Sequence, residues 1–195
     1  MNQPANPPIK TRFPRAAAIA VARELCEALK PHCERLIVAG SLRRMKQQVG
    51  DVEIVYIPKI RKYQIDLLKV GFASEAGERI DALVRAGILS QRHGQNGATS
   101  WGNLNRLAVH VGSGMPVDFF ATTESCWYNY LVCRTGPSAL NTMIASRARE
   151  RGMKWHPYGT GFEILATRQQ IAMDSEEAVF EVVGMEYLKP EERNI

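Results

Sequence analysis

The segment from Arg35 to Ile57, RLIVAGSLRRMKQQVGDVEIVYI, constrains this chain more than any other. An apolar run, Arg35 to Ala39, reads as a short strand that ends directly at Gly40-Ser41. A basic polar loop follows and stops at Gly50, and a second strand, Asp51 to Ile57, opens with two acids before turning apolar. A strand rises about 3.3 Å per residue, so Asp51 and Glu53 share one face about 7 Å apart. Two carboxylates on one side offer hard oxygen ligands of the kind Mg²⁺ takes together with substrate phosphates. The preceding turn has matching uses. Gly40 lets a backbone approach a phosphate closely, Ser41 can donate its hydroxyl, and Arg44 or Arg43 presents a fork to phosphate oxygens.

The rest of the chain supplies elements to hold this segment. Ile19, Ala22, Leu25, Cys26 and Leu29 recur at helical spacing between Arg15 and Lys30, and Pro31 ends that run. Glu75 to Ala86 predicts a helix with Ile80, Leu83 and Val84 on one face and Gly87 at its C-terminal end. Arg106 to Val111 and Met115 to Ala121 flank Gly112-Ser113-Gly114 as a hairpin. Its second arm carries Asp118, which alternation puts with Phe120 on the face opposite Val117 and Phe119. If that arm lies beside the Asp51 strand, three acids converge, and two metal ions held there would suit in-line phosphoryl displacement. A further helix is expected from Pro137 to Arg151, with Leu140, Ile144 and Ala148 on one face and Gly152 past its end. Asp174 to Glu177 starts another, with acids in its first turn. Residues 59–68 fit no single element, Gly94 to Gly97 reads as a loop, and the Asn- and Pro-rich residues 1–10 read as a flexible tail. A composition change near Thr122 to Trp127 is the expected boundary between two subdomains.

Composition narrows the function classes. With 45% hydrophobic and 23% charged residues among 195, the chain is an ordinary globular protein. It has no apolar stretch of membrane-spanning length and no secretory signal, and a cytoplasmic location is the expectation. The net charge of +5 permits an anionic partner without identifying one. Cys26, Cys33, Cys126 and Cys133 form no C-x-x-C pair, and the four histidines show no ligand spacing, so zinc is not expected and the thiols read as reduced and mostly buried. Taken singly, the other features have ordinary explanations. Acids two apart are commonly a solvated strand face, an Arg-Arg is commonly a surface pair, and Asp118 could cap a turn. Trp101, Trp127 and Trp155 read as packing, and Arg147, Arg149, Arg151 and Lys154 as either a solvated or a DNA-facing surface.

Their joint order is more specific. G-S-x-R-R, then D-x-E, and later V-D-F-F together resemble the signature of the family X DNA polymerases. Thr11-Arg12-Phe13-Pro14-Arg15 resembles the entry to that family's catalytic region. Arg134-Thr135-Gly136-Pro137 resembles its Thr-Gly segment beside the incoming sugar, Asn141 matches its base-contacting Asn, and Asp174 to Asn194 resembles its C-terminal end. The resemblance spans about residues 11 to 194, least well between 60 and 100, and is nearest to the small viral members that lack the lyase and helix-hairpin-helix portions. The chain departs from the family at three sites: Glu53 stands where a second Asp is usual, Cys133-Arg134 replaces an aromatic pair, and Pro116 stands where polymerase beta has an Arg two residues before its third acid.

The resemblance implies an α+β fold, with a nucleotidyltransferase palm of mixed or antiparallel sheet and flanking helices over residues 11–125. A small α/β subdomain for nucleotide and template would follow over 126–195. It implies a DNA polymerase that adds nucleotides to a primer 3′ end, as in short gap filling during DNA repair. Asp51, Glu53 and Asp118 would be the catalytic acids and the ligands of two Mg²⁺ ions, which Mn²⁺ could replace. Arg12, Gly40, Ser41, Arg44, Gly50, Gly136 and Asn141 would bind the nucleotide. Gapped primer–template DNA and a dNTP are the expected partners of a monomer with no membrane association. The same signature also occurs in nucleotidyltransferases with non-DNA acceptors, and a basic DNA-binding module without catalysis is the alternative outside enzymes. Gly136-Pro137 is expected to be cis, as the corresponding peptide of the family is.

Overall fold

The computed structural model describes residues 11–66, 69–93 and 97–195. In chain order its elements are β1 (Phe13–Pro14), α1 (Arg15–Leu29), β2 (Cys33–Val38), α2 (Gly40–Arg43), β3 (Gln48–Val49) and β4 (Val52–Pro58). There follow β5 (Ile60–Gln64), β6 (Val70–Ser74), α3 (Glu75–Arg85), β7 (Leu89–Gln91), β8 (Asn105–His110) and β9 (Met115–Ala121). The last stretch comprises α4 (Trp127–Thr135), α5 (Ser138–Glu150), β10 (Met153–Trp155), β11 (Gly161–Ile164), β12 (Gln170–Ala172) and α6 (Glu176–Glu181). The class is α+β.

A five-stranded mixed sheet of order β2-β4-β9-β8-β7 organises the first two thirds. Its central pair, β4 and β9, is parallel, while β2–β4, β8–β9 and β7–β8 are antiparallel. The sheet is apolar on both faces at β4. Ile54 and Tyr56 pack into a core with Ala18, Leu25 and Leu29 of α1 and Ile80 and Leu83 of α3. Val55 and Ile57 point the other way and are covered by Trp127, Tyr130 and Leu131 of α4. A strand buried on both faces reads as a continuous apolar run instead of an alternating one, which is what EIVYI is. Glu53 lies two residues before Val55 and so on the α4 side.

Local signals set the helix ends. Ser74 Oγ accepts from the Gly77 amide at the start of α3, and the helix closes with Gly87 at φ 71, where the amides of Gly87 and Ile88 reach back to the carbonyls of Val84 and Leu83. Ser175 caps α6 in the same way through the Ala178 amide. A separate core gathers Leu140, Ile144 and Ala148 of α5, Trp155 and Phe162 of the three-stranded sheet β10-β11-β12, and Val179 and Phe180 of α6. Asn129 of α4, fully buried, joins this unit to the helix before it. Its amide donates to the carbonyls of His156 and Gly159 at 2.7 and 2.9 Å and accepts from Trp155 Nε1 at 2.6 Å.

Several expectations change. Gly40 to Arg43 is one helical turn, where the sequence suggests only loop. The unassigned stretch after Lys59 includes the exposed strand β5, which pairs antiparallel with the partly buried β6. Helix α4 and the sheet β10–β12 have no counterpart in the sequence reading. WYNYLVCRT is buried on both sides, by β4 and by the second core, so it shows no single apolar stripe. All four thiols are free, but only Cys33 is fully buried, the others being half-buried. The expected tail at 1–10, and most of the loop expected at 94–97, lie outside the described residues. Among those described, no helix is long and apolar enough to cross a membrane.

Ile144 is completely enclosed in the second core. Ile144→Ala is expected to cost about 2–5 kcal/mol of stability, measured by urea unfolding, because it leaves a cavity in a close-packed core.

Candidate active site

The parallel pairing of β4 with β9 sets Glu53 directly beside Asp118, and Asp51 enters one residue before β4. The electrostatics of the site follow from that adjacency. Burial pushes the Glu53 carboxyl up to about 8, and the charges of Asp51 and Asp118 push in the same direction, while Arg134 and Arg44 oppose them. Glu53 lies against the α-carbon of Gly40, so a methyl group at that position would collide with its carboxylate. Gly40 also has φ 62, which favours glycine in its own right. Asp118 is paired with Arg92, whose Nη2 lies 2.8 Å from its Oδ1. Carboxylate oxygens are the ligand type that Mg²⁺ takes. Among the described residues, however, no three acidic, His or Cys side chains stand together in ligating positions.

A polar cleft of about 470 Å³ opens at the acids. One wall is Arg12, Ser41, Arg44, Gly50, Asp51 and Glu53, and the other runs through Cys133 to Ser138 and Asn141. The short turn α2 brings Ser41 and Arg44 to the first wall, and Ser41 Oγ is buried there with no hydrogen-bond partner. Arg44 crosses the cleft, donating from Nη1 to the Thr135 carbonyl, while Asn194 Nδ2 donates to the Arg44 carbonyl at 2.9 Å. Burial draws the Arg44 guanidinium below its ordinary value, with Glu53 and Asp51 offsetting part of the shift.

The second wall turns at Gly136, φ 63, and at the cis Gly136-Pro137 peptide between α4 and α5. Asn141 Nδ2 donates to the Cys133 carbonyl at 2.9 Å, leaving Oδ1 buried and unpartnered. Arg134 lies flat on Phe120, 3.5 Å from the ring centroid, with Tyr158 and Tyr130 at 4.8 and 5.3 Å. It thus places a cation between the acids and an aromatic wall.

Arg43, the other arginine of the turn, faces away from the cleft. It donates to both oxygens of Glu176, at 2.6 and 3.0 Å, and to Thr135 Oγ1 at 2.7 Å. Glu176 also faces the fully buried Arg193, whose Nη1 lies 2.9 Å from Oε2 and whose guanidinium sits beside Phe180 and Tyr187. One buried carboxylate therefore ties the turn α2 to the C-terminal unit.

Residues 130–194 match the DNA polymerase beta thumb family. The chain's last third, which forms the second wall of the cleft, is therefore similar to a polymerase beta thumb, a likeness that goes with a polymerase beta-like or DNA-binding role. The three acids lie outside the matched region, and no curated protein matches the chain.

Of the ten residues singled out in the sequence, Arg12, Ser41, Arg44, Gly50, Asp51, Glu53, Gly136 and Asn141 line the one cleft. Gly40 lies beneath Glu53, and Asp118 stands one strand over, turned to Arg92. Arg92 and the stacking of Arg134 were missed. Neither has a local signal, since each acts on a residue distant in sequence.

Two outcomes follow from this geometry. Glu176→Ala leaves Arg193 buried without its carboxylate and should cost about 3–5 kcal/mol, read from urea midpoints. For Glu53, the folded value of about 8 against an ordinary 4.5 means the folded state binds the extra proton, so stability falls as pH rises from about 4.5 to 8. In EDTA, Glu53→Gln should therefore gain melting temperature over wild type across that window, while the two converge near pH 4.

Proposed function

We propose that this chain is a DNA polymerase beta-like nucleotidyltransferase that adds nucleotides to a DNA primer 3′ end, with residues 11–125 as palm and 126–195 as the nucleotide- and template-binding subdomain. One observation carries the reading. A cleft lined by Asp51 and Glu53, the latter beside Asp118 in the parallel β4–β9 register, has, as its opposite wall, a segment within the match to the polymerase beta thumb. A thumb-like wall alone would serve DNA binding. Carboxylates gathered at the cleft oppose that simpler role, because they repel a nucleic-acid backbone.

In this reading Ser41 Oγ, with its hydrogen-bonding capacity unspent, donates to a triphosphate oxygen of the dNTP. Arg44 exchanges its carbonyl partner for phosphate, and Arg12, exposed at the cleft mouth, adds a second cation. Asn141 offers its unpartnered Oδ1 to the nucleotide. The primer 3′-oxygen attacks the α-phosphorus in line, and pyrophosphate departs toward the Ser41–Arg44 side. Asp51, Glu53 and Asp118 would hold two Mg²⁺ ions, or Mn²⁺ in their place, which when bound polarise the attacking and leaving oxygens. The exposed Arg147, Arg149, Arg151 and Lys154 provide a basic face for the DNA backbone. A gapped duplex, a role in repair and a monomeric, cytoplasmic protein complete the proposal.

Primer extension on a one-nucleotide-gapped duplex tests it, with each dNTP supplied separately in Mg²⁺. Wild type should insert the templated nucleotide, and Asp51→Ala and Asp118→Ala should each lose about a hundred- to a thousandfold in rate, the scale of removing one transition-state charge stabiliser. Absence of extension by intact protein, alongside salt-sensitive DNA binding, would leave a non-catalytic DNA-binding module. Transfer to a different acceptor would place the same site in another nucleotidyltransferase.

A further inference from the structure

We propose that the two-stranded ribbon β5–β6 is a contact for single-stranded nucleic acid, with Phe72 as the stacking platform for a base and Lys62 as the cation for a phosphate. The ribbon lies apart from the cleft. Asp51 enters one residue before β4 and β5 begins two residues after its end, so at about 3.3 Å per residue the ribbon stands on the order of 20 Å from the acids. Its antiparallel register sets Lys62 opposite Phe72 and Ile60 opposite Ser74, and alternation gathers Ile60, Lys62 and Phe72 on one face. The other face carries Arg61 and Tyr63, which are already engaged. Arg61 Nη2 lies 2.7 Å from Oε1 of Glu78 on α3, and the Tyr63 ring covers Gly71, where a methyl group would collide with it.

Two observations point to the unspent face. The first is apolar exposure. Phe72 is 70% exposed, Ile60 57% and Leu104, immediately before β8, 65%, and the three border one cavity of about 390 Å³. A single exposed apolar residue is ordinary, but three large ones around one cavity mark a binding surface. The second is charge, which selects the occupant. Between Lys59 and Ser74 stand four cations, Lys59, Arg61, Lys62 and Lys69, and one acid, Asp66, so this segment carries more than half of the chain's net charge of +5. The acids that border the cavity from α3 are neutralised in place, Glu78 by Arg61 at 2.7 Å and Asp81 by Arg106 at 2.6 Å. A purely apolar partner would desolvate Lys62 without giving it a counter-charge. A polyanion with planar bases uses both residues, because a base offers its π-face to Phe72 and a phosphate its charge to Lys62, with about 5 Å between the paired β-carbons. The bases of a duplex are already stacked on one another, so the exposed ring selects an unpaired strand.

The test is binding of a fluorescein-labelled oligothymidylate of about twelve nucleotides, within the usual range of single-strand site sizes, followed by anisotropy in EDTA. Phe72→Ala should raise the Kd by about fivefold or more, the lower end of what one base–aromatic stack contributes, while Phe72→Trp, which keeps a platform, should stay within about twofold of wild type. Lys62→Gln should reduce the slope of log K against log salt by about 0.7, one phosphate contact on a single strand, and Phe72→Ala should leave that slope unchanged. Both positions are exposed, and circular dichroism on each variant reports the fold. An oligomer affinity indifferent to Phe72→Ala, or a salt slope indifferent to Lys62→Gln, overturns the inference. Self-association that Phe72→Ala abolishes, with no oligomer binding, overturns it in favour of an interface between copies. Filling of a one-nucleotide gap separates this inference from the polymerase reading, because that substrate offers no long unpaired strand, and Phe72→Ala should fill the gap at the wild-type rate. If wild type fills no gap yet binds the oligomer through Phe72, the polymerase reading falls alone. If it fills the gap and binds the oligomer without Phe72, the inference falls alone.

Discussion

Glu176 is the group on which the arrangement of the cleft depends. It is buried, it receives two hydrogen bonds from Arg43 of the turn after β2, and it faces Arg193, which has no exposed surface at all. A carboxylate between two guanidiniums satisfies charges that would each be costly to bury alone. Because Arg43 also holds Thr135, the same network fixes the end of α4, and with it the direction of the Gly136-Pro137 corner. The neighbouring Arg44 and Asn194 repeat the connection closer to the cleft. The two walls are consequently held at a set spacing by residues that do not line the cleft, Arg43, Glu176 and Arg193, leaving Ser41 and Asn141 with unused hydrogen-bonding capacity facing it.

The floor of the cleft is under electrostatic tension. Parallel pairing forces Glu53 and Asp118 to be neighbours, and a desolvated carboxyl beside two others holds its proton far above its ordinary range. The protein tolerates this by bringing cations in from outside the sheet: Arg92 to Asp118, and Arg134 and Arg44 near Glu53. Arg134 is itself steadied by stacking on Phe120, so the aromatic residue two positions after Asp118 supports a charge acting on Glu53. Concentrating like charge in this way lowers stability, a cost that natural proteins concentrate at functional sites.

The sequence by itself determined the elements with strong local signals. Helices α1, α3 and α5, the β8–β9 hairpin and the start of α6 follow from apolar periodicity, capping serines and glycines that end helices. Eight of the ten residues to which the family resemblance pointed line one cleft, which the tertiary structure assembles from the segment before β1, the turn after β2, the start of β4, and α5 with the turn before it. What only the tertiary structure decided were matters of long-range pairing. Helix α4 is invisible in sequence because it is enclosed by two cores, which removes the amphipathic stripe that would announce it. Arg43 and Arg44 are adjacent and chemically alike, yet one serves the Glu176 network and the other the cleft, since successive side chains of a single helical turn point in different directions. Arg92 reaches Asp118 only because β7, β8 and β9 lie side by side, and sheet order is set by burial across the whole molecule and not by the residues near either charge.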